Sequence, residues 1–277
     1  MTDGGRLAGR TCLVTGTTGM AAAAASRFAA EGASVFVVSR TADHARDLGA
    51  SIATAGGRSG WAVADLTLEA AVESAVAACA EAFGRIDALY AVAGISGRRF
   101  GDGPVHEATL HGWHAVMDAN ATSAFLVCRA VVRRMLAQDR DADGIRGAIL
   151  TMSSVLATHP VPDGFATHGY AASKGAIDAL TRSMAAHYAA EGIRVNAIAP
   201  GLVATPMSLR AQGDPAILAY LREKQPLAGG PIDADDTAEL AVHLLSREAR
   251  RVTGQVIEVG AGWSLSEPRM VPDPGAG

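Results

Sequence analysis

Two side chains in the segment Tyr170-Ala171-Ala172-Ser173-Lys174 could together move a proton. On a helix, Tyr170 and Lys174 are four positions apart and share one face. A phenol with a pKa of about 10 is a poor base at neutral pH, but a nearby ammonium favours the phenolate and is expected to lower that pKa. The pair is therefore a candidate acid/base for a substrate oxygen. A tyrosine and a lysine at this spacing can equally be an ordinary surface pair.

A second hydroxyl group precedes the tyrosine, where the apolar run Ala148–Met152 ends in Ser153-Ser154. Ser154, at the C-terminal end of a predicted strand, could hydrogen-bond the reacting oxygen and hold it near Tyr170. The loop between these residues contains two histidines. It is predicted either to form a wall of the substrate cleft, with His159 and His168 as contacts, or to be a plain solvent-facing insertion.

A glycine turn near the N-terminus indicates an anion site. The strand Thr11–Thr15 is followed at once by Gly16-Thr17-Thr18-Gly19-Met20 and then by a helical pattern. Backbone N–H groups at a helix N-terminus attract negative charge, and glycine lets a pyrophosphate approach closely. The order strand, turn and helix favours a dinucleotide site over a chance pair of glycines.

The second strand ends in Ser39-Arg40, where a dinucleotide fold places the group that binds the adenosine ribose. No carboxylate stands there to accept bonds from two ribose hydroxyls, and an arginine would pair with a 2′-phosphate. The sequence therefore favours NADP(H), with NAD(H) as the alternative if Arg40 is only a solvated loop residue. Asp65, after the third strand, could accept a bond from the adenine amino group or cap the following helix.

Short β-branched runs alternate with longer helical patterns along the chain, which predicts a parallel sheet with helices on both faces. The fold class is α/β, with about seven strands. The predicted strands are Thr11–Thr15, Ser34–Val38, Gly60–Ala64, Ala88–Val92, Ala148–Met152, Arg194–Ile198 and Gln255–Val259. The predicted helices are Met20–Glu31, Ala42–Ala55, Leu68–Phe83, Leu110–Leu136, Tyr170–Glu191 and Ala234–Ser246.

One domain over residues 1–265 is predicted, followed by a tail, 266–277, that is either mobile or draped over a neighbouring subunit. The segment Pro206–Leu227 is expected to form a mobile lid, and Met207 is a candidate substrate contact. Its mixture of apolar residues with Arg210 and Arg222 predicts a mostly apolar cleft with one anion contact. Trp113 and Phe125 are interpreted as core residues.

The composition argues against several classes of protein. A net charge of −4 and 5% aromatic residues speak against a nucleic-acid-binding surface. The sequence has no strongly apolar stretch of about 18 residues, so no membrane span is predicted. The three cysteines are scattered, which predicts neither a disulfide framework nor a metal site and favours the cytoplasm.

Taken together, these motifs resemble those of the short-chain dehydrogenases/reductases of the single-domain branch, from about Leu7 to Leu265. The resemblance implies a doubly wound, Rossmann-like sheet and an NAD(P)(H)-dependent oxidoreductase that interconverts a secondary alcohol and a ketone. The residues that carry it, beyond the glycine turn, are Asp65, Ala91-Val92-Ala93-Gly94, Asn120, Ser154, Tyr170, Lys174 and Pro200-Gly201-Leu202-Val203-Ala204-Thr205.

The resemblance also implies roles for individual residues. Tyr170 would be the general acid/base, Lys174 would hold the nicotinamide ribose, and Ser154 would orient the substrate oxygen. Asn120 would hold a water that relays protons from Lys174, a role compatible with that of a buried asparagine at a helix kink. Residues expected to contact the cofactor besides Tyr170 and Lys174 are Gly16, Thr17, Thr18, Gly19, Met20, Ser39, Arg40, Asp65, Leu66, Ala93, Gly94, Pro200, Gly201, Val203 and Thr205.

The family pattern further implies a homotetramer, or a dimer, paired through the helices Leu110–Leu136 and Tyr170–Glu191. The chain departs from the pattern in the spacing Gly16-xx-Gly19-xx-Ala22, which resembles that of sugar-nucleotide epimerases. Epimerase or dehydratase chemistry is disfavoured because a sizeable C-terminal substrate domain is absent from the sequence. A dinucleotide sensor without catalysis is disfavoured by the complete set of Asn120, Ser154, Tyr170 and Lys174.

Overall fold

The computed structural model describes residues 4–162 and 164–267. Within them, seven parallel strands form one sheet in the order β3-β2-β1-β4-β5-β6-β7. The predicted fold class is confirmed. The strands are β1 Thr11–Thr15, β2 Ser34–Ser39, β3 Arg58–Val63, β4 Ala88–Ala91, β5 Gly147–Met152, β6 Ile193–Pro200 and β7 Val256–Val259.

The strand order reverses between β1 and β4, which places a crevice at the carboxyl ends of these two strands. The central strands β1, β4, β5 and β6 are buried along their whole length. β4 and β5 are nearly continuous apolar runs because both faces of the sheet are covered by helices, while β6 also buries Arg194 and Asn196. At the edge, Trp61 and Val63 of β3 remain exposed.

The helices pack on both faces of the sheet. On one face, α1 and α9 enclose a core around Phe28, Tyr90 and Leu245, and on the other α3 and α5 enclose one around Leu89, Val131 and Met135. The helices are α1 Met20–Ala30, α2 Ala42–Thr54, α3 Glu69–Phe83, α4 Leu110–Val116, α5 Ser123–Leu136, α6 His168–Tyr188, α7 Leu209–Gln212, α8 Pro215–Lys224 and α9 Ala234–Leu245.

The predicted helix Leu110–Leu136 is continuous, but a wide turn of π-helix at Met117–Thr122 divides it into α4 and α5. By length and composition it alone among the described helices could cross a membrane, yet 56% of its most apolar window is buried inside the domain, as in a core helix. The prediction that Trp113 and Phe125 are core residues is wrong. Their side chains are 43% and 44% exposed because they lie on the outer face of this helix.

All three cysteines are buried and free. Burial raises the pKa of the Cys79 and Cys128 thiols to about 12, so they are protonated and act as small apolar side chains.

The predicted lid contains the short helices α7 and α8, and Asp214 caps the second by accepting from the N–H groups of Ala216 and Ile217. The predicted tail lies outside the described residues from position 268 onward.

Candidate active site

The glycine turn joins β1 to α1 at the carboxyl edge of the sheet. Gly16 and Gly19 have φ of 94° and 54°, a region that favours glycine. A Cβ on Gly19 would lie 2.9 Å from Cγ2 of Thr205, so a side chain at position 19 would collide with Thr205. Among the described residues, no side chain caps the N–H groups that begin α1. The Ala21 N–H donates to the Thr18 carbonyl at 3.2 Å, and the N–H groups of Met20 and Ala22 remain available to an anion.

A groove of about 550 Å³, here called the glycine-turn groove, leads from this turn along the carboxyl edge of the sheet. Ser39 Oγ accepts from the Thr17 hydroxyl and from the Thr41 N–H, each at 3.2 Å, which fixes one wall. The predicted residues that line the groove are Gly16, Thr17, Thr18, Gly19, Met20, Ser39, Arg40, Asp65, Leu66, Ala93, Gly94 and Thr205. Thr41, His44 and Thr67 line it as well and were missed from the sequence.

Asp65 closes a turn ahead of α3. Its Oδ1 accepts from the N–H and the hydroxyl of Thr67, at 3.0 and 2.7 Å. These bonds, with a smaller contribution from Arg40, lower the pKa of the Asp65 carboxyl. Leu68, and not Asp65, occupies the N-cap position of α3. The alternative prediction, that Asp65 caps this helix, is therefore wrong.

A second opening of about 320 Å³, here called the tyrosine cleft, continues from the groove. The two share Met20, Gly94, Thr205 and Met207 in their walls. Tyr170, Lys174, Pro200, Gly201 and Val203 line the tyrosine cleft. An extended dinucleotide would fit this continuous path, because one end offers uncapped N–H groups and the other offers the tyrosine and the lysine.

Tyr170 and Lys174 lie one turn apart near the start of α6, as their spacing predicted. The Lys174 ammonium donates to the Met152 carbonyl at 2.7 Å and lies 5.5 Å from the centre of the Tyr170 ring. Ser154 is the second residue after β5, and its Oγ accepts from the Leu156 N–H at 3.2 Å. The strand end and the helix thus bring the three predicted groups together.

The protonation of this cluster differs from the expectation. Burial raises the pKa of Tyr170 above its usual range, and a hydrogen bond with Ser154 opposes that rise. Lys174 was expected to lower the Tyr170 pKa. Instead burial lowers its own pKa to about 8, against the pull of the Asp178 carboxylate. Both shifts follow from desolvation, which disfavours whichever form is charged.

Asn120 lies at the wide turn between α4 and α5 and is fully buried. Its Nδ2 donates to the Ile95 carbonyl at 3.1 Å and to Ser173 Oγ at 3.0 Å, and its Oδ1 accepts from the Ile95 N–H at 2.8 Å. A Cβ on Gly94 would approach that Oδ1 to 2.7 Å. The amide therefore ties the loop after β4 to the helix that carries Tyr170, while its role in holding a water stays a prediction.

Comparison with known proteins places the chain in a family. The family model described as enoyl-(acyl carrier protein) reductase matches residues 14–264. The 2,5-dichloro-2,5-cyclohexadiene-1,4-diol dehydrogenase LinX of Sphingobium indicum is 32% identical over 94% of this chain and 98% of its own. A 3beta-hydroxysteroid dehydrogenase of Eggerthella lenta is 36% identical over 94% and 95%. The chain belongs to the short-chain dehydrogenase/reductase family.

A solved structure supports the same assignment. A putative short-chain dehydrogenase/reductase from Burkholderia xenovorans superposes with a TM-score of 0.84 and 34% identity, over 95% of this chain and all of that one. This protein is accordingly an oxidoreductase of the short-chain dehydrogenase/reductase family.

One residue that positions the candidate site of this oxidoreductase was missed from the sequence. The buried carboxylate of Asp102 accepts from the N–H groups of Gly169 and Tyr170, each at 2.9 Å. It satisfies the first turn of α6 from a distant loop, while the side chain at the N-cap position, Thr167, makes no capping bond. No local spacing relates Asp102 to α6, and its only sequence signal is an aspartate between two glycines.

A second missed residue, Gln225, holds the segment after β6. Its side chain is fully buried and donates to the carbonyls of Leu202 and Gly230, at 3.2 and 2.7 Å. A Cβ on Gly201 would collide with Gln225 Oε1. The glutamine therefore fixes the wall that Gly201 and Leu202 contribute to the tyrosine cleft.

The three candidate substrate contacts are placed differently. Met207 lines the tyrosine cleft and the groove. His168 does not line either opening, because its Nδ1 accepts from the Val105 N–H at 3.0 Å outside the cleft. His159 lines a separate cavity, and its carbonyl accepts from Trp263 Nε1 at 3.2 Å. The loop residues that line the tyrosine cleft are instead Val155, Leu156, Phe165 and Thr167.

Proposed function

We propose that the protein transfers hydride between a nicotinamide cofactor, NADP(H) in preference to NAD(H), and a secondary alcohol or ketone. The observation that carries the proposal is that Tyr170 and Lys174 line a cleft continuous with the glycine-turn groove. The relatives named as dehydrogenases of a cyclic diol and of a hydroxysteroid support a ring-borne secondary alcohol.

When bound, the nicotinamide supplies or accepts the hydride. In reduction, the Tyr170 hydroxyl gives its proton to the carbonyl oxygen, a task that suits a phenol whose pKa burial raises. Ser154 orients that oxygen toward Tyr170, and Lys174 holds the nicotinamide ribose. Asn120 keeps α6 and the loop after β4 in register through its bonds to Ser173 and Ile95.

The direct test is oxidation of NADPH with a panel of cyclic and acyclic ketones, followed by absorbance. Turnover that depends on a ketone supports the proposal. Tight binding of NADPH with no turnover on the whole panel would favour a dinucleotide sensor.

We predict that Arg40→Ala weakens NADPH binding about tenfold or more while NADH binding changes little. Arg40 is exposed on the wall of the groove beside Ser39, where its charge can meet a 2′-phosphate. Dissociation constants for both cofactors, from fluorescence titration, check this. Equal weakening of the two would remove the argument for a 2′-phosphate site.

The rate of ketone reduction is expected to fall as the pH rises through about 8. Lys174, with its pKa lowered to about 8, is cationic below that pH and neutral above it, while Tyr170 with its raised pKa stays protonated. A profile of kcat/KM against pH reports these groups in the free enzyme. Asp178→Asn removes the charge that supports the Lys174 cation and should move the fall to lower pH. A profile flat through pH 8 would contradict the assignment.

We also propose a homotetramer, or a dimer, in the cytoplasm. The exposed Trp113 and Phe125 on the outer face of the helix Leu110–Leu136 support pairing through that helix. Sedimentation of the wild type against Phe125→Asp tests this, since a charge at a helix-paired interface should yield monomers.

A further inference from the structure

The tyrosine cleft has a charge opposite to that of the whole chain. Three arginines and one lysine line it, and the described residues of its wall include no aspartate or glutamate. The complete chain, by contrast, has a net charge of −4. The cationic residues are Arg98, Arg99, Lys174 and Arg210. Such a concentration of one sign favours an anion in the cleft.

Two of these arginines meet at a single point. Arg98 comes from the turn after β4 and Arg210 from α7, and their Nη2 atoms donate to the same Gly164 carbonyl, at 2.7 and 2.9 Å. Three separate segments of chain therefore meet at this carbonyl: the two arginines line the tyrosine cleft, and Gly164 lines the separate cavity that also contains His159. Within residues 4–162 and 164–267, neither guanidinium is within 4.0 Å of a carboxylate.

A neutral carbonyl is a modest partner for two cations. Hydrogen bonds from guanidinium groups to a carboxylate are shorter and stronger, and an arginine fork matches the two oxygens of a carboxylate. Two guanidinium groups side by side also repel each other, and burial together with the Arg210 charge lowers the pKa of Arg98, with Asp102 opposing. A bound anion would remove that repulsion.

The other two cations have different surroundings. Lys174 is held at the Met152 carbonyl beside Tyr170. The Arg99 guanidinium lies 4.8 Å from the centre of the Phe100 ring, and Arg99 lines the groove as well as the cleft. Arg98 and Arg210 both line the tyrosine cleft but not the groove, and they are the two cations of the cleft that share one acceptor.

Apart from these charges, the walls of the cleft are largely apolar. Phe165 and Trp263 pack edge to face, with ring centres 5.7 Å apart. The apolar residues that line the cleft on this side are Val155, Leu156, Phe165, Leu202, Ala211 and Trp263. A substrate that fits has an apolar body and one anionic group.

We propose that Arg98 and Arg210 form a carboxylate subsite, and that the substrate is a secondary alcohol or ketone with a carboxylate on an apolar skeleton. The carboxylate replaces the Gly164 carbonyl as the acceptor shared by the two guanidinium groups. This inference rests on the proposed function for the carbonyl end, while the anion end stands on the arginine pair.

The activity test compares 4-oxocyclohexanecarboxylate with its methyl ester, which keeps the ring and ketone but not the charge. With NADPH, kcat/KM should favour the acid at least about tenfold. Arg98→Gln and Arg210→Gln should each lower the acid-to-ester ratio at least about fivefold. Arg98→Lys should retain part of it, because the charge remains without the fork. Arg251→Gln, at an exposed arginine outside the cleft, is the matched control and should leave the ratio unchanged.

A binding test separates failure of the subsite from failure of the proposed chemistry. Calorimetry of the Tyr170→Phe protein with cyclohexanecarboxylate, hexanoate and benzoate needs no turnover, and the matching carboxamides supply neutral controls. Binding of an acid but not its amide, lost in Arg98→Gln and Arg210→Gln, supports the subsite even if no ketone is reduced. Ketone turnover with equal rates on acid and ester would overturn the subsite and leave the proposed function standing. Binding of none of the three acids would also overturn the subsite.

Discussion

Tyr170→Phe is expected to lower kcat for ketone reduction by about 10²–10⁴-fold while NADPH binding changes little. The substitution keeps the ring on α6, so the packing of the cleft and the contact with Lys174 persist. It removes the one hydroxyl in the cleft that the proposal assigns to give the carbonyl oxygen a proton. Steady-state kinetics with NADPH and single-turnover measurement of its oxidation check this result.

The same helix supplies a matched control. Tyr188, at the C-terminal end of α6, packs its ring against His187 and is outside the tyrosine cleft. Tyr188→Phe makes the same chemical change and should leave kcat within about twofold of wild type. If Tyr170→Phe kept wild-type turnover, another group would be the proton donor and the proposed function of Tyr170 would be wrong.

The features that the sequence predicted correctly are those with a local signature. The apolar runs of β2 and β5 identified the sheet, because a strand buried on both faces needs no polar alternation. The turn at Gly16 and Gly19 and the pairing of Tyr170 with Lys174 depend on spacings of three and four residues, which a turn or a helix fixes within itself.

The features that were missed depend on contacts between distant segments. His159 and His168 were expected in the substrate cleft, but the fold of the loop before α6 turns Phe165 there instead. The convergence of Arg98 and Arg210 on Gly164 joins three separate segments of the chain, which no spacing within one segment encodes. Trp113 and Phe125 fit an apolar pattern equally well as core or as outer face.

The Tyr170 pKa illustrates the same limit. The spacing to Lys174 correctly predicted two neighbouring groups, and charge alone would lower the phenol pKa. The sequence does not report how much water the folded cleft excludes, and desolvation reverses the expected sign. Tyr170, the proposed proton donor, is therefore a neutral phenol at physiological pH, which suits the proposed reduction of a ketone.

Asp102→Ala is expected to lower the free energy of unfolding by about 1–3 kcal/mol and kcat by about tenfold to a hundredfold. The buried carboxylate accepts from the N–H groups of Gly169 and Tyr170, so its loss leaves these two groups without that acceptor at the residue proposed to be catalytic. The negative charge also lies at the positive end of the helix dipole. Denaturant unfolding and steady-state kinetics on the same preparations measure both effects.

Asp102→Asn separates the two contributions, because its amide oxygen can still accept one of the two N–H groups while the charge is lost. It should fall between wild type and Asp102→Ala in stability and in kcat. Asp43→Ala controls for the loss of an acidic group. The Asp43 carboxylate lies on α2, is 71% exposed and pairs only with Arg46 among the described residues. Its removal should change the free energy of unfolding by less than about 0.5 kcal/mol. Wild-type stability and kcat in Asp102→Ala would mean that the first turn of α6 holds Tyr170 without help, and that the geometry of the active site is set within the helix.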